Sequence, residues 1–231
     1  MNDYTGTKNL EVMAETINYN RFLVDLVSGL SRAGTTTVDF GAGLGTFAQP
    51  LHDQGRRVLC VEPDAAQFRV LTDKGLTACT SINEIAANSV DYLYTLNVLE
   101  HIDDDRQALY AIRRTLKDDA LLLVYVPAFA VLYTDMDRKV GHVRRYRLQE
   151  LVDKVRGAGF DIDSAEYVDC LGFLATLVYK WTDRSSGQIN RQALRQYDRI
   201  VFPISRALDT LGARRMFGKN VLLVARARPA I

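Results

Sequence analysis

The sequence is poor in cysteine and proline and has no long apolar run, and each shortage excludes a class of protein. The three cysteines, Cys60, Cys79 and Cys170, lie far apart in apolar runs without a CxxC pair, so we expect buried thiols rather than a metal site or a redox dithiol. Five prolines and 15 glycines are too few for a collagen-like or low-complexity chain. The longest strongly apolar stretch, 170–179, has about half of the roughly 20 residues that a membrane span needs.

The chain also lacks an excess of charge of either sign. Its 231 residues include 29 Lys and Arg against 28 Asp and Glu, so the net charge is +1, and 48% of the residues are hydrophobic. This composition excludes a disordered chain and gives no electrostatic basis for nucleic-acid binding. The first residues include an acid and lack an apolar segment, which is not typical of a secretory signal. We therefore predict a globular cytoplasmic protein without a nucleic-acid partner or a membrane span, for which peripheral membrane contact stays open.

Short apolar runs alternate with helical patterns along the first two thirds of the chain. Such alternation is typical of βαβ units, so it predicts a parallel, doubly wound α/β sheet whose ligands bind beyond the carboxyl ends of the strands. The predicted strands are 36–40, 57–61, 76–80, 90–95 and 121–126, and the predicted helices are 13–30, 46–54, 65–74 and 105–116.

The last third follows a different pattern. Residues 160–169 and 221–227 are predicted to be extended, whereas 171–215 is mostly helical and amphipathic. A helical insertion of about 45 residues before the last strand exceeds ordinary loop lengths, so we expect a lid or a dimerisation surface there. No linker divides the sequence, and we therefore predict one domain over 1–231, with residues 1–30 as an N-terminal cap helix.

Three glycines, Gly41, Gly43 and Gly45, lie between the first predicted strand and the next helix. Glycine allows the backbone to turn sharply and to approach a ligand where a Cβ would clash. Glu62 follows 21 residues after Gly41, at the end of the second strand, where a carboxylate can accept hydrogen bonds from a ribose diol. The alternative interpretation is a tight strand–helix turn in which Glu62 is a solvated cap. The spaced acid and the βαβ context favour a nucleotide-type cofactor site.

These residues resemble the class I S-adenosylmethionine-dependent methyltransferases. The first motif of that family reads acid-x-Gly-x-Gly-x-Gly and an acid ends its second strand, as the segments 39–45 and 61–63 do here. The resemblance covers about residues 1–160 and implies a seven-stranded, mostly parallel Rossmann-like sheet with S-adenosylmethionine as the cofactor. It also implies cofactor contacts from Asp39, Gly41, Ala42, Gly43, Gly45, Glu62 and Pro63.

The segment after the fourth predicted strand extends the resemblance. It reads Asn97-Val98-Leu99-Glu100-His101 and looks like the family's Asn-x-Leu-Glu-His, which lines the methionine and methyl region. The resemblance therefore implies that Asn97 and Leu99 border the methyl donor and that His101 meets the acceptor. The alternative interpretation is a helix start, which the following acids 103–105 would stabilise through the helix dipole.

Two further positions complete the implied cofactor site. Many relatives place an Asp after the third strand to hold the adenine amino group, but this chain has none there, so Ser81 or a backbone group would have to serve. Near the N-terminus, Tyr4 or Tyr19 is a polar aromatic residue that could close the pocket. Ordinary helix packing is the alternative for Tyr19.

A charged segment follows the fifth predicted strand and is predicted to be a loop beside the cofactor. It contains Asp137, His142, Arg144, Arg145 and Tyr146. Arginine forks recognise carboxylate or phosphate, and an imidazole can accept a proton from a substrate hydroxyl, so we predict His142 and Tyr146 as catalytic and the arginines as substrate-binding. The alternative is a solvated basic turn in which one of the two arginines pairs with Asp135 or Asp137.

The same segment resembles a methyltransferase subgroup with Gly-His-x-Arg-Arg-Tyr, often linked to bacterial glycan, lipid or natural-product pathways. The sequence thus predicts methyl transfer from S-adenosylmethionine to a small molecule, with an oxygen of an acidic, glycan- or lipid-like metabolite favoured. One alternative is an S-adenosylmethionine-binding protein without methylating activity, either a partner subunit or a cyclase-like enzyme. A weaker one is a nicotinamide-dependent oxidoreductase, which the GxGxG spacing and the lack of a Tyr-x-x-x-Lys pair disfavour.

Overall fold

A seven-stranded sheet organises the part of the chain that the computed structural model describes, residues 16–182 and 191–229. The strand order is β3-β2-β1-β4-β5-β7-β6, and β7 runs antiparallel to both of its neighbours while the pairs among β1–β5 are parallel. This confirms the predicted doubly wound, mostly parallel sheet. The strands are β1 (Thr36–Phe40), β2 (Arg57–Val61), β3 (Thr77–Cys79), β4 (Val90–Leu96), β5 (Leu116–Pro127), β6 (Phe160–Val168) and β7 (Asn220–Ala227).

Helices connect the strands and cover both faces of the sheet. Side-chain caps set where several of them begin: the carboxylate of Asp64 accepts from the backbone N–H groups of Ala66 and Gln67, and Asp104 accepts from that of Gln107. The helices are α1 (Ile17–Leu30), α2 (Ala48–Asp53), α3 (Ala65–Asp73), α4 (Asp105–Thr115), α5 (Asp135–Val140), α6 (Leu148–Gly157), α7 (Cys170–Thr182), α8 (Arg191–Gln196) and α9 (Phe202–Thr210).

The central strands bury side chains on both faces, which explains their nearly continuous apolar sequences. In β4, Leu93 belongs to the same core as Leu109 of α4, whereas Tyr92 and Tyr94 pack in the opposite core with Leu23 of α1. Two of the three cysteines are buried and the third is partly buried, all as free thiols, as predicted. In the described ranges no helix combines the length and the apolar composition that crossing a membrane requires.

The predicted helical insertion lies between β6 and β7 and comprises α7, α8, a π-helical turn (Tyr197–Val201) and α9. It holds the start of α1, because the Asp198 carboxylate accepts hydrogen bonds from the backbone N–H groups of Asn18 and Tyr19 at 3.0 and 2.9 Å. The ring of Phe202 also contacts those of Tyr19 and Phe22 edge-on. Residues 1–15, including Tyr4 and the first part of the predicted cap helix, lie outside the described residues.

Two boundaries differ from the prediction for local reasons. Strand β5 begins at Leu116 rather than at 121, because Val90 and Leu116 already pair ahead of an irregularity in the ladder. The segment after β5 was expected to be a loop but contains α5. That helix begins with a capping box, in which Thr134 and Asp137 satisfy each other's backbone N–H groups, and it ends at Gly141 with φ of 85°.

Candidate functional site

The three glycines of the loop after β1 adopt left-handed backbone conformations, with φ of 82°, 56° and 78° at Gly41, Gly43 and Gly45. A side chain at the first would collide with Val98, and a Cβ at the third would lie 2.8–2.9 Å from leucine side chains of the α3 region. Because L-residues disfavour such φ values, both geometry and packing require glycine here. The loop lies at the carboxyl edge of the sheet, where ligands of doubly wound folds bind.

Glu62 connects the end of β2 to the glycine loop. Its Oε2 accepts a hydrogen bond from the Gly43 backbone N–H at 2.8 Å, and its Oε1 accepts one from the Asp64 N–H at 2.9 Å. The side chain is buried, and burial raises its pKa. Each carboxylate oxygen can accept a second hydrogen bond, so the residue can still bind a diol. Ala42 is buried beside this contact, and Pro63 is exposed.

Asp39 contributes a second buried carboxylate close to the loop. It lies at the end of β1 between Cys60 and Tyr94 of the neighbouring strands, and its Oδ2 has no hydrogen-bond partner among the described residues. Burial raises its pKa to about 7, the adjacent Tyr94 side chain acts in the opposite direction, and the nearby Glu62 carboxylate reinforces the effect of burial. Since buried polar atoms are normally satisfied, this oxygen is suited to a ligand that donates N–H groups or carries positive charge.

The structure places Tyr19, Asn97 and Tyr125 near one another. The Tyr19 and Tyr125 rings lie 6.3 Å apart edge-on, and Asn97, directly after β4, has φ of 55°. Burial raises the pKa of Tyr19 to about 12, although the adjacent Tyr125 and Asn97 side chains act in the opposite direction. Leu99, by contrast, is fully buried and belongs to the core around Leu109.

Ser81 lies beyond the end of β3, as its predicted role requires, but its hydroxyl already has a local partner. The Oγ atom accepts a hydrogen bond from the Asn83 backbone N–H at 3.2 Å, while Glu84 accepts one from the Ser81 N–H at 2.9 Å. This capping box orients the turn after β3. The hydroxyl proton remains available as a donor.

His142 forms a charge cluster with two residues of the predicted loop. Its Nδ1 lies 2.7 Å from Oδ1 of Asp137, and the Arg145 guanidinium donates to both oxygens of that carboxylate, at 2.9 and 3.0 Å. Although burial alone would raise the pKa of Asp137, these two partners hold it well below its usual range. Because a charged carboxylate only accepts hydrogen bonds, Nδ1 carries the proton and Nε2 is left as the basic atom.

Glu100 and His101 complete this cluster from the segment after β4. Oε1 of Glu100 lies 3.7 Å from Nε2 of His142, and the His101 and His142 rings meet edge-on with centroids 4.6 Å apart. Glu100 is fully buried, and burial raises its pKa to about 8. Burial also lowers the pKa of His101 to about 4, with the neighbouring His142 acting in the same direction, so His101 is neutral at pH 7.

The prediction that Tyr146 is catalytic is not supported by its position. The side chain is fully buried. Its hydroxyl can donate to Oδ2 of Asp105 at 2.8 Å or to the carbonyl oxygen of Leu99 at 3.1 Å. Arg144 and Lys154 contact the same Asp105 oxygen at 2.7 and 2.6 Å. These contacts fix the turn before α6 to the start of α4, and no acceptor can reach a hydroxyl so enclosed.

The two predicted substrate-binding arginines are likewise occupied inside the protein. Arg145 is only 7% exposed and pairs with Asp137, which agrees with the alternative considered from the sequence. Arg144 pairs with Asp105 and donates to the Asp103 carbonyl oxygen at 2.7 Å, and a quarter of its side chain remains exposed. The fork of Arg145 therefore holds this segment together inside the protein, whereas Arg144 does so with part of its side chain exposed.

Three residues near this edge did not emerge as site candidates from the sequence. Tyr125 lies near the end of β5, in an apolar run whose pattern indicates only burial, and its ring adjoins that of Tyr19. Glu100 was visible within the Asn-x-Leu-Glu-His segment, but its burial could not be inferred. Lys219 precedes β7, and burial lowers its pKa although Asp169 opposes this effect. Lys219 could not be found from local sequence, because its position depends on the antiparallel pairing of β7 with β5, which places the start of β7 beside the end of β5.

Comparison with known proteins identifies a family for most of the chain. Residues 13–165 match the family of methyltransferase domains. An uncharacterized methyltransferase of Mycobacterium avium (strain 104) is 38% identical over 81 residues, which cover 32% of this chain and 32% of that relative. The match thus spans about a third of the length of the curated relative.

Solved structures share the fold at low sequence identity. A chain in the complex between the Haloferax volcanii Trm112 methyltransferase activator and the putative methyltransferase matches with a TM-score of 0.67 and 15% identity, over 98% of this chain and 96% of that chain. Geranyl diphosphate C-methyltransferase from Streptomyces coelicolor A3(2) matches with a TM-score of 0.66 and 15% identity, over 94% and 82%. At such identities the likeness shows the fold alone.

Proposed function

Because this chain belongs to the family of methyltransferase domains, we propose that it methylates an oxygen of a small acidic, glycan- or lipid-like molecule. Methylation dependent on S-adenosylmethionine is the activity of the family, and S-adenosylmethionine is its cofactor. The acceptor, the methylated atom and the residues in contact with either ligand are the parts that we propose.

The proposal rests on the Asp39 carboxyl oxygen beside the left-handed glycine loop, which has no hydrogen-bond partner among the described residues. S-adenosylmethionine has a cationic aminoacyl end, which a buried carboxylate at this position would stabilise. Glu62 would accept hydrogen bonds from the ribose hydroxyls while it keeps its contact with the Gly43 N–H. Gly41, Ala42 and Gly45 would shape the loop, and Pro63 and Ser81 would border the nucleoside.

The donor methyl group would lie beside the segment after β4. Asn97 and Tyr19 are the polar groups that the structure brings together there, and they would contact the methionine part of the cofactor. Leu99 would act from within the core, by fixing the turn on which Asn97 is held.

His142 is the proposed general base. Asp137 holds Nδ1, so Nε2 is the atom that would accept the proton of the acceptor hydroxyl. In the step, the acceptor oxygen forms a bond to the methyl carbon, the carbon–sulfur bond breaks, and its electron pair returns to sulfur as the neutral thioether. Because the sulfonium is already reactive, positioning supplies much of the acceleration.

The remaining acceptor residues take more limited roles. Tyr146 is a positioning residue, since its enclosed hydroxyl fixes the turn that carries His142. His101 borders the acceptor, and Arg144 is the arginine with enough exposed surface to meet an acidic group, whereas Arg145 acts through Asp137. A lipid-like acceptor is supported by exposed apolar side chains on the insertion and its surroundings, namely Leu174, Val178, Ile200, Ile204, Leu208 and Leu211.

The wider organisation is also part of the proposal. We retain one domain over 1–231, with the helical insertion 171–215 as a lid or homodimer surface and the segment 1–30 as a cap over the cofactor. We also propose a cytoplasmic location, peripheral membrane contact and membership in the Gly-His-x-Arg-Arg-Tyr subgroup.

Calorimetry tests the central claim. We expect S-adenosylmethionine and S-adenosylhomocysteine to bind, and Glu62→Ala to weaken both at least tenfold, because two ribose hydrogen bonds are lost. Glu150→Ala is the matched control, since this glutamate is 45% exposed on α6 and its ion pair is with Lys154. Absence of binding in the parent protein would refute the proposal, and equal affinity in Glu62→Ala would refute the ribose contact.

Methyl transfer separates the proposal from its alternative. A labelled methyl group from the cofactor should appear in an acidic or lipid-like hydroxylated acceptor, and His142→Ala should lower turnover about 100-fold or more. If the cofactor binds but no acceptor of these classes is methylated, a non-methylating partner subunit or cyclase-like enzyme becomes the better description.

A further inference from the structure

We propose that Glu100, His101 and His142 form a binding site for one divalent transition-metal ion, with zinc as the expected occupant. The tertiary fold brings together two segments that are about 40 residues apart, the turn after β4 and the turn after α5. One potential ligand atom from each residue lies within 4.8 Å of the others. Two imidazoles and one carboxylate form a ligand set that zinc uses when it keeps an open position for water or substrate.

The distances suit a site that closes slightly around an ion. Zinc binds imidazole nitrogen and carboxylate oxygen at about 2.0–2.2 Å, so tetrahedral ligand atoms are roughly 3.3–3.5 Å apart. Oε1 of Glu100 and Nε2 of His142 are already 3.7 Å apart. The Glu100 and His142 side chains therefore need to approach each other by only a few tenths of an ångström. The His101 ring, which lies within 4.8 Å of both ligand atoms, would move somewhat further.

A carboxylate already orients His142 in the manner of a metal ligand. Metal-binding histidines usually donate their other ring N–H to a carboxylate, which fixes the tautomer and makes the ligating nitrogen more basic. Nδ1 of His142 lies 2.7 Å from Oδ1 of Asp137, and Arg145 holds Asp137 through a bidentate pair. This arrangement directs Nε2 toward Glu100.

Glu100 supplies an independent reason to expect a cation. It is fully buried, and neither of its carboxylate oxygens has a hydrogen-bond partner among the described residues. A buried carboxyl group without partners is costly, and a coordinated cation would satisfy it. Arg145 attracts the charged form of Glu100, but the charge of its guanidinium is balanced by Asp137. Among the described residues, the cation-forming group that comes within 4 Å of the Glu100 carboxyl group is therefore the His142 ring, at 3.7 Å.

Cation binding does not depend on the proposed function, but it would change the role of His142 within it. Nε2 cannot accept a proton while it ligates a metal. The acceptor oxygen would then occupy the open position of the ion and be polarised there, and this consequence rests on the proposed methylation.

Metal titration of the full-length protein tests the site. The protein is freed of metal with a chelator and titrated with Co²⁺, which reports its coordination by visible absorbance, and then with Zn²⁺ as competitor. We expect one equivalent to bind, with the intense bands of a four-coordinate site. His101→Gln and His142→Gln should each weaken binding about 100-fold, and Asp137→Asn about tenfold.

His52→Gln is the matched control, because His52 is the third histidine of the chain and lies on α2 with 46% of its side chain exposed. It should bind cobalt as the parent protein does, and circular dichroism should show all variants folded. No binding, equal binding in all variants, or a thiolate-to-cobalt charge-transfer band from a cysteine would overturn the site. Calorimetry with S-adenosylmethionine on the parent protein and His52→Gln tests the proposed function separately, because that result does not depend on the metal.

Discussion

The two halves of the site edge differ in how their charges are satisfied. On the glycine-loop side, Asp39 keeps a buried carboxyl oxygen without a partner among the described residues. On the side of α5 and α6, the charges of Asp137, Arg145 and Asp105 are matched within the protein. The first half offers a carboxyl oxygen to a ligand. In the second half the paired charges form a framework, and the carboxyl group there that has no hydrogen-bond partner among the described residues is that of Glu100. A charged sequence segment therefore need not present its charges to a substrate.

The largest expected effect comes from breaking the framework. Asp137→Asn would leave the Arg145 guanidinium, 7% exposed, without its charged partner, and breaking such a buried pair costs about 3–5 kcal/mol. Urea unfolding would measure this loss. Replacing both residues in Asp137→Leu with Arg145→Met should recover much of the stability, because no buried charge remains. If Asp137→Asn loses less than about 1 kcal/mol, the framework side is not held by this pair.

The next effect tests whether the ligand side depends on its backbone. Gly41→Ala should destabilise the protein by about 2–4 kcal/mol and abolish cofactor binding, since the new Cβ meets Val98 and the residue must keep a φ of 82°. Thermal unfolding and calorimetry would measure both losses. Gly29→Ala is the control, because this helical glycine has open space around its Cβ, and it should be neutral or stabilising. If Gly41→Ala bound the cofactor as the parent protein does, cofactor binding would not depend on the backbone of the glycine loop.

The pH dependence of stability tests the carboxyl group of Asp39, whose Oδ2 has no partner in the part of the chain that the structure describes. The native pKa of Asp39 is about 7 against an ordinary 3.8, so between these values the native state holds a proton that the unfolded state has released. Stability attributable to this group therefore falls as the pH rises from about 4 to 7. Asp39→Asn should remove that fall and gain on the order of 2 kcal/mol relative to the parent at pH 8.

Ligand-free protein unfolded in urea at several pH values would show the difference. Asp161→Asn, which changes an aspartate that is 74% exposed on β6, should give a curve parallel to the parent. If the stability of Asp39→Asn also followed the parent protein at every pH, the pKa of Asp39 would not differ between the native and unfolded states.

The smallest expected effect completes the comparison within α5. Asp135→Asn breaks an ion pair with Arg138 in which both side chains are about 70% exposed. Exposed pairs of this kind contribute less than about 0.5 kcal/mol, so urea unfolding should show almost no change. A loss close to that of Asp137→Asn would mean that helix formation, rather than the buried pair, explains the larger effect.

Local sequence was sufficient for most of the fold and for the conformation of the glycine loop. The glycine loop and Glu62 were predictable because backbone conformation and strand ends are encoded by residues close together in the chain. Helix α5 was missed, since the capping box of Thr134 and Asp137 lies within a segment that reads as a loop. The enclosure of Tyr146 could not be predicted, because its buried hydroxyl depends on Asp105, which is 41 residues away.

The sequence by itself determined the doubly wound sheet, the helical insertion and the glycine loop, because alternating apolar runs and glycine spacing are local properties of the chain. Only the tertiary structure decided which charges are free. It paired Arg145 with Asp137, enclosed Tyr146, and left Asp39 and Glu100 with carboxyl oxygens that have no partner among the described residues. The physical reason is that the pairing of a charge depends on burial and on neighbours from distant segments, and the near-zero net charge of the chain carries no information about either.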